Sequence, residues 1–173
     1  NAARRIGTRF SRASSFTLPK TIRLNGLDRS IDVPDEPSQR VAFVELLLDD
    51  CYRLRWIARR ARIATIIDIG ANVGLFGLAA RAAFPNATIH AYEPNPLLEP
   101  SLAHQAQLAG VDYFLAAVGR DAGTISLEVD RRGSVFSRAL PDPKGPIPQL
   151  AFRDAPGSLV WDGIAGSVTL QLA

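Results

Sequence analysis

One short stretch of this chain, Asp68 to Gly74 (D-I-G-A-N-V-G), constrains its fold more than any other. An isoleucine-rich run from Ile63 to Ile67 precedes it and is typical of a parallel strand buried on both faces. A helix is predicted to begin near Val73, so the chain must reverse within a few residues. Gly70 and Gly74 remove the Cβ atoms that would block that turn and the approach of a ligand. We therefore expect a strand, turn and helix whose backbone N–H groups face a ligand.

The kind of ligand is indicated by Glu93, which follows Gly74 by 19 positions. A second strand is predicted over Ala87 to Tyr92, and Glu93 stands at its carboxyl end, where open parallel sheets bind ligands. A glutamate there is ionised at neutral pH and can accept hydrogen bonds from both hydroxyls of a ribose. The sequence therefore predicts a nucleoside ligand.

Two further residues of the turn favour a cationic ligand without phosphates. Asn72 occupies the position where the pyrophosphate-binding fingerprint has its second glycine, and its side chain would crowd a diphosphate. Asp68 places a negative charge beside the turn. S-adenosylmethionine has a ribose, a sulfonium, an ammonium group and no phosphate, so the pattern indicates methyl transfer.

At these residues the chain resembles the class I methyltransferases, and more narrowly the FkbM-type family. The first motif of that family commonly reads D-x-G-A-N-x-G and its second strand ends in E-P-N, which here are Asp68 to Gly74 and Glu93-Pro94-Asn95. The resemblance extends to Asp49–Leu54 (D-D-C-Y-R-L) and to Ala116–Gly119 (A-A-V-G). It implies S-adenosyl-L-methionine as the cofactor and a small-molecule hydroxyl acceptor, on a sugar, glycolipid or natural product. The implied cofactor-binding residues are Asp68, Gly70, Ala71, Asn72, Gly74, Glu93, Pro94, Ala117 and Val118. No catalytic residue is indicated.

Two other interpretations stay open. An NAD(P)-binding Rossmann domain would also use Glu93 on a ribose, but it would have to accommodate Asn72 in place of glycine. A non-catalytic remnant of the methyltransferase fold would keep the motifs without turnover. This second alternative arises because FkbM-type relatives carry a K-I-D-x-E-G-like strand, and no such motif occurs in this sequence.

The order of predicted elements is βαβαβ, which requires a mostly parallel, Rossmann-like α/β sheet. The first helix is expected to end at Pro85-Asn86, and the second to begin between Pro96 and Ser101 and to close at Gly110. The third strand is predicted over Val111 to Val118.

An N-terminal cap is predicted before this sheet. Thr21–Leu24 and Leu27–Val33 flank Asn25-Gly26, a pair typical of a two-residue hairpin turn. The segment from Gln39 to Arg62 has a largely helical pattern. The expected divisions of the chain are a basic, flexible segment 1–20, the cap 21–62, the cofactor-binding core 63–140 and a Pro/Gly-rich tail 141–173.

The C-terminal part predicts less structure. Alternating residues from Ile125 to Asp130, a turn at Arg132-Gly133 and the run Ser134 to Leu140 are typical of a hairpin. Five prolines between residues 141 and 156 exclude a long helix, and Val168 to Leu172 is a possible terminal strand. The sheet is therefore expected to be unfinished, and the sequence to be incomplete at its C-terminal end.

The composition bears on the partners, the compartment and the metal content expected for the protein. Residues 1–62 hold 13 Lys+Arg against 7 Asp+Glu, but the arginines at positions 53, 55, 59, 60 and 62 are interpreted as a solvated helix face and not as a nucleic-acid surface. No apolar run is long enough for a membrane span. The single cysteine, Cys51, is expected to be a packing residue, and it favours a cytoplasmic protein. His90 is predicted to pack inside a strand and His104 to lie at the surface, so no metal site is expected. The sequence does not indicate an oligomeric state.

Overall fold

A computed structural model of the protein describes residues 17–119 and, beyond them, the backbone of four strands within residues 124–171. The strands are β1 Thr21–Leu24, β2 Leu27–Ser30, β3 Thr65–Ile69, β4 Thr88–Tyr92, β5 Asp112–Phe114, β6 Thr124–Glu128, β7 Arg138–Leu140, β8 Leu159–Trp161 and β9 Ser167–Gln171. The α-helices are α1 Pro37–Phe43, α2 Leu54–Ala58, α3 Leu75–Ala83 and α4 Glu99–Ala109. A π-helical segment, Val44–Leu48, continues α1, and a 3-10 turn, Pro96–Leu98, precedes α4. None of the helices described has the length and hydropathy that crossing a bilayer requires.

Strands β3, β4 and β5 form a parallel sheet in that order, and α3 and α4 are the connections between them. The predicted α/β fold with parallel strands is therefore confirmed. Strand β5 is shorter than the predicted Val111 to Val118, because the N–H of Ala116 bonds to the carbonyl of Phe114 at 2.9 Å and turns the chain. Helix α4 begins and ends as predicted, with Pro100 in its first turn and Gly110 at a φ of 61° after its last residue.

The prediction that the first strand is buried on both faces is wrong. Strand β3 begins and ends two residues later than predicted, and Ile67 and Ile69 are 44% and 43% exposed. Ile66, on the opposite face, packs into a cluster with Phe84 and Ile89. The physical reason is position: β3 is an edge strand of the three-stranded sheet, and its second face borders an open cavity.

The N-terminal cap contains the predicted hairpin and a broken helical segment. Asn25 and Gly26 have φ angles of 50° and 82°, as the two-residue turn requires, although β2 ends at Ser30 and not at Val33. The helical pattern from Gln39 to Arg62 is interrupted after Leu48. A new helix, α2, begins at Leu54 because Asp50 caps it. The two carboxylate oxygens of Asp50 accept the N–H groups of Leu54 and Arg55 at 2.7 and 3.1 Å.

One hydrophobic cluster joins the cap to the sheet region. It combines cap residues such as Leu24, Phe43 and Leu48 with Val73 and Leu78 around the start of α3. The cap therefore packs directly beside the motif turn that precedes α3. The division of the chain at residue 62 stays a prediction.

A single arginine ties the ends of α3 and α4 to β4. The guanidinium of Arg81 donates to four backbone carbonyls at 2.6 to 2.8 Å, those of Pro85, Ala87, Ala109 and Gly110. Three of these carbonyls lie just past a helix or at its end, where intrahelical donors are lacking. Arg81 thus holds α3, which follows the motif turn, against the C-terminal end of α4.

The remaining strands form a four-stranded antiparallel sheet in the order β7-β6-β9-β8. Strands β6 and β7 pair as the predicted hairpin, with Ser126 opposite Leu140. Strand β9 corresponds to the predicted terminal strand, whereas β8 was not predicted. The turn at Arg132-Gly133, the proline-rich stretch 141–158 and the basic residues 1–16 lie outside the described residues.

Candidate functional site

Hydrogen bonds to the end of β4 stabilise the turn between β3 and α3. The N–H groups of Gly70 and Ala71 both donate to the carbonyl of Tyr92, at 2.8 and 3.0 Å. The next N–H, of Asn72, donates to Glu93, and that of Gly74 donates to Ala71. The expectation that these N–H groups face a ligand is therefore wrong, because neighbouring residues of the protein already accept their hydrogen bonds.

Three residues of this turn adopt the left-handed conformation. Gly70 and Gly74 have φ angles of 80° and 82°, and Asn72, between them, has a φ of 51°. Asparagine tolerates this region better than other residues with a side chain, since its amide bonds locally to the backbone. Here Oδ1 of Asn72 accepts the N–H of Val73 at 2.8 Å. The sequence G-A-N-V-G is thus matched to the backbone that it must adopt.

Glu93 connects the two strand ends. Its Oε2 accepts the N–H of Asn72 and its Oε1 accepts the N–H of Asn95, each at 2.8 Å. The residue is only 7% exposed. Burial raises the pKa of the Glu93 carboxyl, and the hydrogen bonds from Asn95 and Asn72 oppose that rise. Each oxygen of a carboxylate has about two acceptor sites, and the described part of the chain uses one on each oxygen of Glu93.

Asp68 is the second carboxylate of the site. Burial, followed by the nearby charge of Glu93, raises its pKa from 3.8 to about 6. Its Oδ2 atom is buried and has no hydrogen-bond partner among the residues that the structure describes. An ionised carboxylate oxygen in this situation is poorly compensated and is suited to a cationic partner.

An open cavity of about 290 Å³, called here the motif cavity, lies beside Asp68. Its walls come from three parts of the fold: Gln39 and Tyr52 from the cap, Asp68 and the turn residues 69–73 from the β3 end, and Phe76 from α3. The rings of Tyr52 and Phe76 meet edge to face, with centroids 5.4 Å apart. Tyr52 is 61% exposed and so lies at the border between the cavity and solvent. The cavity thus combines an acid with an aromatic wall.

The two motif glycines have different surroundings. A Cβ atom at Gly70 would meet nothing within 4 Å, so the space beside it is open to a ligand. A Cβ atom at Gly74 would lie 3.0 Å from Cβ of Gln105 and 3.2 Å from Cδ1 of Leu102. Gly74 therefore permits the close packing of α3 against α4, and only Gly70 leaves room at the motif cavity.

The other residues predicted for the site are more distant from the cavity. Glu93, Pro94, Ala117 and Val118 are not among its lining residues. The end of β4 is nevertheless joined to the end of β5, since the N–H of Glu93 donates to the carbonyl of Phe114 at 3.0 Å. The carboxyl ends of all three parallel strands are therefore joined by backbone hydrogen bonds.

The two histidines, the cysteine and the arginines, for which no part in the site was predicted, match the expectations in part. His90 stacks on Phe114, with Nδ1 3.9 Å from a carboxylate oxygen of Asp112. His104 bonds to the carbonyl of Ser30 at 2.9 Å and is partly exposed. Cys51 is exposed, so its predicted role in packing is wrong: it lies in the turn between the π-helical segment and α2. The arginines at positions 53, 55, 59, 60 and 62 are all exposed, as expected for a solvated face.

Two buried glutamines at the site were not predicted from the sequence. Gln39 of α1 is 1% exposed and donates Nε2 to Oδ1 of Asn72 at 2.8 Å. Gln105 of α4 is fully buried and bonds to both backbone groups of Asp32 and to the carbonyl of Val73. A glutamine among apolar residues at helical spacing was the only available signal.

Comparison with known proteins identifies relatives that are named methyltransferases. No protein-family model matches the chain. The chain is 29% identical over 134 residues to methyltransferase sdnD of Sordaria araneosa, an alignment that covers 75% of this chain and 51% of that protein. It is 38% identical over 102 residues to the 31-O-demethyl-FK506 methyltransferase FkbM of Streptomyces tacrolimicus, which covers 57% of this chain and 38% of that protein.

Among solved structures, the chain is similar to a SAM-dependent methyltransferase from Agrobacterium tumefaciens. The identity is 16%, the TM-score 0.36, and the match covers 60% of this chain and 34% of the other. This likeness is too distant to support a conclusion about the site. The chain spans about half, or less, of the length of the curated relatives that it matches. In sequence, the resemblance to FkbM-type methyltransferases is confirmed.

Proposed function

We propose that this chain is the cofactor-binding part of an S-adenosylmethionine-dependent methyltransferase. The observation that carries the proposal is the contact between the two motifs: Glu93 accepts the N–H of Asn72 at 2.8 Å, beside a cavity lined by Asp68. Both acids thus stand at the carboxyl ends of parallel strands, where α/β folds bind their ligands. The similarity to curated methyltransferases supports the same function.

The residues present fit this cofactor. The unpartnered Oδ2 of Asp68 suits a positive charge, which the ammonium and sulfonium groups provide. The open space at Gly70 leaves room for atoms of the cofactor against the backbone. Glu93 has one acceptor site on each oxygen for ribose hydroxyls. A dinucleotide fits less well, because its diphosphate would meet two carboxylates and find the turn N–H groups already engaged.

S-adenosylmethionine held by Asp68 and Glu93 would supply a methyl carbon on a positively charged sulfur. Transfer to an acceptor oxygen would form a C–O bond, and the electron pair of the broken C–S bond would stay on sulfur. An acceptor hydroxyl would also transfer its proton to a general base or to water, so that charge balances as the methyl group moves. The chain would lower the activation barrier of methyl transfer by positioning, that is, by holding the acceptor oxygen and the methyl carbon in line and about 3 Å apart. Asp68 and Glu93 would hold the two ends of S-adenosylmethionine, and the rings of Tyr52 and Phe76 would form an apolar wall beside it.

We further propose a hydroxyl acceptor on a sugar, glycolipid or natural product, and a cytoplasmic location. The name of the Streptomyces relative specifies an oxygen of a natural product as its methylation site. The exposed ring of Tyr52 offers a flat surface on which an acceptor ring could pack at the edge of the motif cavity. The proposal includes no nucleic-acid partner, since the exposed arginines at positions 53, 55, 59, 60 and 62 are interpreted as a solvated surface.

Isothermal titration calorimetry with S-adenosylhomocysteine and with NADH tests the cofactor. We expect S-adenosylhomocysteine to bind and NADH to bind at least about tenfold more weakly, a difference of about 1.4 kcal/mol. Tighter binding of NADH would select the NAD(P)-binding alternative. If the folded protein binds neither compound, the alternative of a non-catalytic remnant of the methyltransferase fold is selected.

Methyl transfer is then tested with radiolabelled S-adenosylmethionine and a panel of sugar and polyketide hydroxyl acceptors. We expect label to appear in at least one acceptor and not in the same acceptor with its hydroxyl capped as an ether. Variant Glu93→Ala is the negative control, and Glu45→Ala, at an exposed glutamate of the π-helical segment, is the matched positive control.

A further inference from the structure

We propose that Gln39 of the cap is a positioning residue for the cofactor-binding turn: its side-chain amide holds Asn72 in the conformation that presents the Asn72 N–H to Glu93. This inference rests on the proposed function, because it assigns the turn to a cofactor. It goes further by giving the cap, through one buried side chain, control over the site.

The first step is the contact between cap and turn. Gln39 lies on α1, 33 positions before Asn72, and is 1% exposed. Its Nε2 donates to Oδ1 of Asn72 at 2.8 Å. Burying an amide costs free energy unless its hydrogen bonds are made inside the protein, so this contact is part of what makes the buried position tolerable.

The second step is the conformation of Asn72. Oδ1 of Asn72 accepts both Nε2 of Gln39 and the N–H of Val73. Because the φ of Asn72 is 51°, its backbone is in a region that residues other than glycine occupy only with local support. The hydrogen bond from Gln39 fixes the side chain whose oxygen supports that backbone.

The third step leads to Glu93. In this conformation the N–H of Asn72 lies 2.8 Å from Oε2 of Glu93. A series of three residues therefore runs from α1 of the cap, through the turn, to the acid proposed for the ribose. Loss of the first member should loosen the second and so change the orientation of the third.

The residues that line the motif cavity support the same inference. Gln39 itself lines that cavity, together with Ala42 and Leu46 from the same helical segment. The cap thus forms one side of the cavity and also holds the turn that forms the other side. Its role differs from that of Gln105, which attaches Asp32 of the cap to α4, donates to the carbonyl of Val73 and packs against Gly74.

The test compares Gln39→Met, which keeps the length of the side chain but removes the donor, with His104→Ala. His104 links α4 to the cap through the carbonyl of Ser30, and among the described contacts it makes no hydrogen bond to the turn, so its loss should weaken the cap attachment and leave the turn in place. Gln39→Leu, which also removes the donor, is the second variant in case Gln39→Met folds poorly.

Two measurements are made on each protein. Amide hydrogen exchange of Asn72, followed by nuclear magnetic resonance without ligand, should accelerate by about tenfold in both Gln39 variants and stay at the wild-type rate in His104→Ala. The dissociation constant for S-adenosylhomocysteine should rise by about five- to tenfold in the Gln39 variants only.

The outcomes separate this inference from the proposed function. Wild-type exchange at Asn72 in both Gln39 variants overturns the positioning role, whatever the cofactor does. Faster exchange with unchanged affinity also overturns it, since the turn would then not be coupled to binding. If the wild-type protein binds no S-adenosylhomocysteine, the proposed function fails and the cofactor part of this inference fails with it, while the exchange rates still decide whether Gln39 holds the turn.

Discussion

The backbone N–H of Asn72 donates to Oε2 of Glu93 across 2.8 Å, and this hydrogen bond joins the two motifs of the protein. Asn72 belongs to the turn after β3, and Glu93 follows the last residue of β4. The spacing between the motifs in sequence is therefore the length of one helical connection between adjacent parallel strands. Any ligand that contacts the Glu93 carboxylate must share it with the protein backbone.

The first prediction concerns this carboxylate. Glu93→Ala leaves the N–H groups of Asn72 and Asn95 without their acceptor, so we expect a loss of about 2 to 4 kcal/mol in the free energy of unfolding. In the same variant, affinity for S-adenosylhomocysteine should fall by about 1.5 to 3 kcal/mol. Urea denaturation and calorimetry measure the two effects, with Glu45→Ala as the exposed control. Unchanged affinity in a folded variant would remove Glu93 from the site.

The second prediction separates the two motif glycines. Both have positive φ angles, so alanine at either position is strained by about 1 to 2 kcal/mol. Gly74→Ala should lose about 1 to 3 kcal/mol more, because its Cβ would press on Gln105 and Leu102. Gly70→Ala meets no protein atom within 4 Å, and its larger effect should be on cofactor affinity, increasing in Gly70→Val.

Thermal unfolding and titration with S-adenosylhomocysteine distinguish these glycine variants. We expect Gly74→Ala to have the lower melting temperature and Gly70→Ala the weaker binding. If Gly70→Val binds with wild-type affinity, the open space at Gly70 does not belong to the cofactor.

The third prediction concerns Arg81. Arg81→Ala removes four hydrogen bonds to backbone carbonyls, and we expect a loss of about 3 to 5 kcal/mol in unfolding free energy. Arg81→Lys should recover only part of it, because an ammonium cannot match the fork of a guanidinium. Urea denaturation measures both, and Arg59→Ala, at an exposed arginine, should change stability by less than about 0.5 kcal/mol. A loss no greater in Arg81→Ala than in Arg59→Ala would show that these bonds add nothing.

The local parts of the fold were predictable because their signals are local. The turn Asn25-Gly26, the helix end at Gly110 and the βαβ spacing from Asp68 to Glu93 each depend on backbone geometry within a few residues. The positions of the acids at adjacent strand ends followed from parallel pairing alone.

The contacts between distant segments were not predictable in the same way. The turn N–H groups were expected to face a ligand, but Tyr92 at the end of β4 and Glu93 just after it accept them, a result that depends on how closely β4 approaches. Gln39 reaches Asn72 only because α1 packs beside the start of α3. The exposure of Ile67 likewise depends on its edge position and not on the apolar run around it.

The last prediction is a pH dependence caused by Asp68. Its folded-state pKa is about 6 against 3.8 for an ordinary aspartate, since burial and the charge of Glu93 oppose ionisation. The folded protein therefore holds this proton more tightly than the unfolded chain does. The corresponding stabilisation is fully present below pH 3.8 and is lost as the pH rises through about 6. At about 1.4 kcal/mol per pKa unit, it is on the order of 2 to 3 kcal/mol, and the raised pKa of Glu93 acts in the same direction.

Asp68→Asn removes this dependence and should be more stable than the wild type at about pH 7.5 by about 1 to 2 kcal/mol, with a flatter profile between about pH 4 and about pH 6.5. Its affinity for S-adenosylhomocysteine should fall, since the cationic ammonium loses its carboxylate, whereas wild-type affinity should increase as the pH rises through about 6. Urea denaturation and calorimetry across this range measure both, with Asp49→Asn as the exposed control. Parallel stability profiles for the wild type and Asp68→Asn would show that Asp68 titrates normally and carries no special charge for the cofactor.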